Sequence, residues 1–466
     1  MQTHGLQVKD RKVTVFGIKK SGIAAIELLV SKGAKVFATE KESEIESSAI
    51  VWMEDIGVEF ELGFHSRKSI ENKDLIVISP GVNPQLPILL EARKMNIPVI
   101  GEVELAYQLS NARFLAVTGT SGKSTTVELI GAILSKHIPG VYVCGNIGVP
   151  LSRIILNNMG KKLNLVVEAS SFQLETIHSF KPEIAVFLNF NADHMDRYSN
   201  LQEYFRAKTR IFENQTGDDV ALLNYESPML KDLICGSSKR LYYSHHQKLK
   251  KGFYVEDGLV NMDVDGLPCS KVPLNGYQLP GMHNLSNAVA SIAATYLFLK
   301  EDFCPEKTCS ALKEFKGLEH RFEKAGEFNG VVFINDSKST KPQTTEVAIA
   351  CLSQPTILIL GGSDKGNDFT DLALLVANHP WIKKVIITGK TQRKIKHAFD
   401  AIGYRSYKLT PSFKSAVFES IVRSNKGDMV LLSPACASFD EFVDFEQRGR
   451  VFKQLIHDAF RQHNNN

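Results

Sequence analysis

The chain has 466 residues, 43% hydrophobic and 23% charged. That is an ordinary globular balance, and at about 100–200 residues per domain it suits three domains rather than one core. A net charge of +4 without long basic runs argues against a nucleic-acid partner, and His245 to Lys251, the nearest thing to such a run, reads as a solvated loop. The seven cysteines are scattered with no C-x-x-C pair, which argues against a disulfide framework or a zinc site and fits a reducing cytoplasm. Met1 to Lys12 has no apolar segment of the kind a secretory signal needs, and no apolar stretch is long enough to span a membrane.

In chain order, the first section alternates strand and helix. Val13–Phe16, Lys35–Thr39, Asp74–Ser79 and Ile97–Ile100 read as strands, with helices over Gly22–Ser31 and Ile88–Lys94. This alternation predicts a parallel sheet covered by helices. The middle section carries strands at Phe114–Thr118, Asn164–Glu168, Ile184–Asn189 and Asp219–Asn224, a small antiparallel addition over about Lys239–Leu279, and an apolar helix over Asn284–Leu299. The last section alternates again, with strands at Val331–Asn335, Thr356–Leu360, Lys384–Thr388 and Met429–Ser433 and a polar tail, His463–Asn466. The expected fold class is α/β in three domains: 1–101 and 318–466 Rossmann-like, and 102–317 a central P-loop ATPase-type domain.

The most informative segment is Gly119-Thr-Ser-Gly-Lys-Ser-Thr125, placed between a strand and a helix. Glycines let backbone N–H groups converge on phosphate oxygens, and the helix N-terminus adds its dipole. Lys123 is placed to reach the outer phosphates and the Ser124 hydroxyl to hold Mg²⁺. The loop is shorter than the usual G-x-x-x-x-G-K-[ST], since only Thr120 and Ser121 separate Gly119 from Gly122. Gly17-Ile-Lys-Lys-Ser-Gly22 is a weaker signal. Lys19 stands at the middle glycine position of a dinucleotide fingerprint, and the segment also fits a plain strand-to-helix turn.

Other polar groups gather at strand ends. Glu168 closes an apolar strand, where it would hold Mg²⁺ or stand as a surface carboxylate. His194 lies in Asn189-Phe-Asn-Ala-Asp-His-Met-Asp196, as a metal ligand or a hydrogen-bonded structural residue. Lys208, taken alone, is an unremarkable helical lysine. Asn335-Asp-Ser-Lys-Ser-Thr340, Gly361-Gly-Ser-Asp-Lys-Gly366 and Ser433-Pro-Ala-Cys-Ala-Ser-Phe-Asp440 end three strands of one sheet and point to one shared crevice suited to anions. Cys436 reads as a buried core thiol rather than a nucleophile.

Together these motifs, with Gly145-Asn-Ile-Gly148, Glu168-Ala-Ser-Ser-Phe-Gln-Leu-Glu175, Asp193-His-Met-Asp-Arg-Tyr198, His283-Asn284, Asn287 and His320-Arg-Phe-Glu323, resemble the Mur ligases over nearly the whole chain. The likeness is greatest to the members that add D-glutamate to UDP-N-acetylmuramoyl-L-alanine. The Asp-Asn-Pro-Arg motif of the diamino-acid-adding members is absent. The resemblance implies a cytoplasmic, monomeric, ATP-dependent ligase of peptidoglycan precursor synthesis. Its cofactors would be ATP and two Mg²⁺ ions, and its partners UDP-N-acetylmuramoyl-L-alanine and D-glutamate, with no nucleic acid and no membrane insertion. It implies that Gly119, Thr120, Ser121, Gly122, Lys123, Ser124 and Thr125 hold the ATP phosphates, Asn284 and Asn287 the adenine side, Arg321 the phosphates and Asp336 the ribose. Ser124 and Glu168 would bind one Mg²⁺; His194 and Lys208, carried as a carbamate, would bind the other. Lys338 would face the reacting phosphoryl group. Ser21, Ser79, Gly81 and Asn146 match the nucleotide-sugar side, and Thr340, Lys365, Ser438 and Phe445 the D-glutamate side. The family usually has Asn where Ser121 stands and Gly where Lys19 stands. Alanine-adding and folate-polyglutamate ligases, a nucleotide-driven regulatory protein and a nicotinamide dehydrogenase are the competing readings.

Overall fold

The computed structural model describes residues 5–464 apart from 194 and 196. The chain divides into two compact units, residues 1–278 with 282–315 and residues 279–281 with 316–466.

The first unit holds two sheets. β1 (Lys12–Phe16), β2 (Lys35–Glu40), β3 (Glu59–Leu62), β4 (Leu75–Ile78) and β5 (Val99–Gly101) form a parallel sheet in the order β3-β2-β1-β4-β5. All four residues of β4, Leu-Ile-Val-Ile, are buried, as a parallel strand covered on both faces requires. The order reverses at β1, so its C-terminal end opens into a crevice. There the Ser79 hydroxyl donates to the Gly17 carbonyl at 2.9 Å and ties the loops after β4 and β1 together.

The second sheet has nine strands: β6 (Arg113–Thr118), β7 (Val141–Gly145), β8 (Asn164–Glu168), β9 (Ile184–Phe187), β10 (Val220–Asn224), β11 (Lys239–Ser244), β12 (Gly252–Glu256), β13 (Leu259–Asp263) and β14 (Ser270–Pro273). Their order is β14-β13-β12-β11-β10-β9-β6-β8-β7. Only the pairs β12–β13 and β13–β14 are antiparallel. The addition expected over 239–279 therefore extends the main sheet, and its first strand runs parallel to β10. Side chains alternate across β6. Leu115 and Val117 enter a core with the helices Lys123–His137 and Met282–Leu299. Phe114 and Ala116 enter a core with Glu102–Gln108, Leu151–Asn157 and Leu201–Thr209.

The helix Glu102–Gln108 joins the two sheets through buried carboxylates. Glu102 accepts from Ser152 N–H at 2.7 Å. Glu104 accepts from the backbone N–H groups of His178, Ser179 and Phe180 at 2.8, 2.9 and 2.9 Å, and from the side chains of Gln108 and Ser179. Burial pushes the Glu104 carboxyl upward, but these donors outweigh it and hold it below the usual carboxylate range.

In the second unit, β15 (Glu323–Phe328), β16 (Val331–Asn335), β17 (Thr356–Gly361), β18 (Ile382–Thr388), β19 (Tyr407–Leu409) and β20 (Met429–Leu432) form a sheet in the order β15-β16-β20-β17-β18-β19, with β15 antiparallel. A long helix, Phe445–Asn464, covers one face; the sequence reading places no element there and only a polar tail over His463–Asn466. The helix's stripe is Phe452, Ile456 and Phe460, spaced by four, and Phe460 stacks on Phe328 with ring centroids 4.7 Å apart.

Glu104→Ala would leave three backbone donors without their acceptor, that of Phe180 buried and those of His178 and Ser179 part-buried, each costing up to about 1–3 kcal/mol. We expect a loss of roughly 3–5 kcal/mol, read as a lower urea midpoint for the first unit; a change under about 1 kcal/mol would show that Glu104 does not join the sheets.

Candidate functional site

In the first unit, polar groups converge beyond the C-terminal end of β6. Gly122 caps the following helix with φ +82°, and no side chain caps that N-terminus, so the first-turn N–H groups face outward. A Cβ at Gly122 would lie 2.5 Å from Asn287 Oδ1, so both conformation and space demand glycine there. The loop is held open by Asn189, whose Oδ1 accepts from Ser121 N–H at 2.9 Å and Thr120 N–H at 3.2 Å while its Nδ2 donates to the Ser121 carbonyl at 3.1 Å. Lys123 folds over the loop, its Nζ donating to the Gly119 and Thr120 carbonyls at 2.8 and 2.9 Å. Thr125 and Ser124 are buried in the first turn. This is a cradle for an anion with several oxygens.

Glu168 lies on the neighbouring strand, in register with Val117. It is 2% exposed; its Oε1 accepts from Asn146 Nδ2 at 2.8 Å, and its buried Oε2 has no hydrogen-bond partner among the described residues. A buried carboxylate oxygen left without a donor is costly in a dry site. A hard cation would satisfy it, and the Ser124 hydroxyl and phosphate oxygens would complete an oxygen ligand set.

Lys208 is 1% exposed, its Nζ donating to the Gly119 carbonyl at 2.7 Å and lying 4.7 Å from the Tyr204 ring centroid. Burial and the nearby Lys123 lower its pKa to about 6, against the opposing pull of Asp193 and Glu168. The helical spacing gives no hint of this, because the burial comes from the loop and strand ends. Asp193 joins the cluster electrostatically, while His194 lies outside the described residues.

Asn287 and Asn284 stand one turn apart on the helix Met282–Leu299, and Asn287 meets the loop itself at Gly122. Asn146 serves Glu168. Ser21 and Gly81 lie with Ser79 at the other crevice, beyond β1 and β4. Lys19 pairs with Glu42 at 2.7 Å on the surface.

In the second unit, the three polar segments leave the adjacent parallel strands β16, β20 and β17. Asp336 follows β16, accepting from Ser433 Oγ at 2.6 Å and Phe322 N–H at 3.1 Å. Burial raises its pKa to about 6 against these donors and Arg321. Arg448, 2% exposed, donates from Nε and Nη2 to the hydroxyl and carbonyl of Ser337 at 2.9 and 2.8 Å, and from Nη1 to the carbonyls of Cys436 and Ala437 at 3.0 and 3.2 Å. One guanidinium therefore fixes the loops that carry Lys338, Thr340 and Ser438. The Lys338 ammonium lies 5.7 Å from the Phe445 ring centroid and that of Lys365 5.2 Å from Phe439. The Cys436 thiol is fully buried and pushed up to about 11 by that burial, as expected of a core thiol. Glu319, His320 and Glu323 cluster closely enough to suggest a metal. Lys453 lies 2.5 and 2.9 Å from the two carboxylates, however, so the cluster is an ion-pair network.

Residues 11–101 match the Mur ligase MurD-like N-terminal domain, 117–295 the Mur ligase middle domain and 320–436 the Mur ligase glutamate ligase domain. The chain is 38% identical to a UDP-N-acetylmuramoylalanine--D-glutamate ligase of Thermoanaerobacter sp. (strain X514), covering 97% of this chain and 99% of that one. It is 37% identical to one of Clostridioides difficile (strain 630), with the same coverage. The chain belongs to the Mur ligase family. Solved Mur ligases share the fold. The UDP-N-acetylmuramate-alanine ligase MurC of Thermotoga maritima aligns with TM-score 0.57 at 19% identity, covering 96% of this chain and 100% of that one. The MurF ligase of the same organism, in complex with ADP, aligns with TM-score 0.58 at 16% identity, covering 97% and 96%.

Two residues of this Mur ligase's site, Asn189 and Arg448, are not marked by any motif in the sequence. Asn189 enters the sequence reading only as the first residue of the segment that carries His194, although an amide at the end of the strand beside the loop strand is a signal for a loop clamp. Arg448 carries no signal in the sequence, because the helix that buries it, Phe445–Asn464, is not evident there either.

Asp336 generates a pH test. Its carboxyl holds a proton up to about 6 in the native chain but only to its ordinary 3.8 when unfolded. Between those values the native state binds more protons, so this group's contribution to stability falls as pH rises. Asp336→Asn should therefore gain roughly 2–3 kcal/mol relative to the parent between about pH 4 and pH 7, measured by denaturant unfolding of the second unit's transition; a difference independent of pH would contradict the raised value.

Proposed function

We propose that this Mur ligase adds D-glutamate to UDP-N-acetylmuramoyl-L-alanine at the expense of ATP, in cytoplasmic peptidoglycan precursor synthesis. The observation that supports it best is the loop after β6 with the buried, unpartnered Glu168 oxygen beside it, in a chain whose full-length relatives carry that activity in their names. No helix among the described residues is long and apolar enough to cross a membrane, which accords with this setting.

In this reading residues 1–101 bind the UDP substrate, 102–317 ATP and 318–466 the amino acid. Ser21, Ser79, Gly81 and Asn146 contact the nucleotide sugar. The loop Gly119–Thr125 and Lys123 hold the ATP phosphates, with Asn284, Asn287, Arg321 and Asp336 on the nucleotide. The substrate carboxylate oxygen attacks the γ-phosphorus, and the bond to ADP breaks. The amine of D-glutamate, placed by Thr340, Lys365, Ser438 and Phe445, then attacks the acyl carbon. Phosphate leaves, and the nitrogen loses its proton. Such transfers depend on positioning and on neutralising charge at the phosphoryl oxygens. Lys123, Lys338 and Arg321 supply positive charge. Two Mg²⁺ ions, when bound, would add Lewis-acid charge at the phosphates; Ser124 and Glu168 would hold one, His194 and Lys208 the other.

Lys208 would act as a carbamate. An amine with a pKa of about 6 is largely unprotonated at neutral pH, the form that adds to CO₂, and the product, after loss of a proton, replaces a buried neutral amine with an anionic oxygen ligand. Incubation with ¹³C-bicarbonate should give one carbamate carbon signal in the parent protein and none in Lys208→Met; a signal surviving that substitution would place the modification elsewhere.

The substrate assignment is tested by ADP release across amino acids. Release should require both UDP-N-acetylmuramoyl-L-alanine and D-glutamate, and Lys123→Ala should lower kcat by roughly two to three orders of magnitude, the scale seen when one preorganised donor is removed. Equal turnover with L-alanine, or an active Lys123→Ala enzyme, would overturn the reading.

A further inference from the structure

Phe439 has no role in the reaction as described. It is a large aromatic side chain, 64% exposed to solvent, directly after the buried Ser438. The Lys365 ammonium stands 5.2 Å from its ring centroid. Three contacts hold the segments that carry the pair. Ser363 N–H donates to the Ala437 carbonyl at 2.8 Å. Ser363 Oγ donates to Asp440 Oδ1 at 3.3 Å, and Lys390 N–H to Asp440 Oδ2 at 3.2 Å. Lys365 lies two residues beyond the first latch, and Phe439 lies between the two latched residues Ala437 and Asp440. The carboxylate next to the lysine is engaged elsewhere: Asp364 accepts from Gly366 N–H at 2.8 Å and from Lys394 Nζ at 3.4 Å. Among the described residues Lys365 forms no ion pair.

A lysine on a mobile four-carbon stem loses much rotamer freedom when it grips an anion. A ring face attracts the ammonium through its quadrupole and offers no negative charge to compete with the anion. A carboxylate partner would fix the same ammonium and neutralise it.

We propose that Phe439 is a positioning residue: it holds the Lys365 ammonium over its ring, oriented for a carboxylate of the incoming amino acid. The proposal rests on the assignment of Lys365 to the amino-acid substrate. Phe439 touches no reacting atom and acts only through the lysine.

The test is a double-mutant cycle with full steady-state kinetics on the intact chain, varying D-glutamate. An exposed cation–π contact is worth enough for about a two- to five-fold rise in KM for D-glutamate in Phe439→Leu, with a smaller change in kcat and none in KM for ATP. Phe439→Trp should restore the parent KM. In a Lys365→Met background, Phe439→Leu should have no further effect. If Lys365→Met raises KM while Phe439→Leu does not, or if the two effects simply multiply, Phe439 has no positioning role and the assignment of Lys365 stands. If Lys365→Met leaves KM unchanged, the assignment falls and the proposal with it. Because Phe439 is exposed, the variants should keep the parent's unfolding temperature, which separates the effect from misfolding.

Discussion

The architecture of the first unit follows from one constraint: charged groups are buried around a glycine turn that needs an anion on one side and a cation on the other. Glu168 leaves an oxygen without a donor, Lys208 is forced toward its neutral form, and an uncapped helix N-terminus faces the same space. Each feature alone costs stability. A metal-bound polyphosphate, as proposed above, would satisfy all three. The sheet order makes the arrangement possible, since β6 is flanked by β8 and β9 and only there do the loops from both sides part.

The second unit repeats the principle with different chemistry. Three adjacent parallel strands end in short polar segments, and a buried arginine rather than a phosphate loop sets their spacing. Arg448 spends its donors on four hydroxyl and carbonyl oxygens, none of them a carboxylate. It therefore stiffens the loops without consuming the negative groups there. Lysines at the same strand ends meet aromatic rings. The result is a set of strand-end loops at fixed spacing that carry lysines beside aromatic rings.

Much of this was legible in the sequence. Apolar runs ending in glycine or serine located the strands that carry the site, and the phosphate loop named its ligand class directly. What the sequence concealed depends on contacts between distant segments. Lys208 looks like any helical lysine until the loop brings the Gly119 carbonyl onto it. Glu104 gives no sign that it gathers three backbone N–H groups from residues 178–180. The last helix was hidden because its apolar stripe, Phe452, Ile456 and Phe460, is thin among charged residues. The edge strand Glu323–Phe328 was missed because it has few β-branched residues and is held by its antiparallel neighbour.

The central claim is that ATP makes a carboxyl group reactive by transferring a phosphoryl group to it. The most direct measurement uses UDP-N-acetylmuramoyl-L-alanine with ¹⁸O at both oxygens of its alanine carboxylate, turned over with ATP and D-glutamate. The account predicts that the phosphate released carries one ¹⁸O atom for each amide formed. Unlabelled phosphate, or formation of AMP and pyrophosphate in place of ADP, would contradict it.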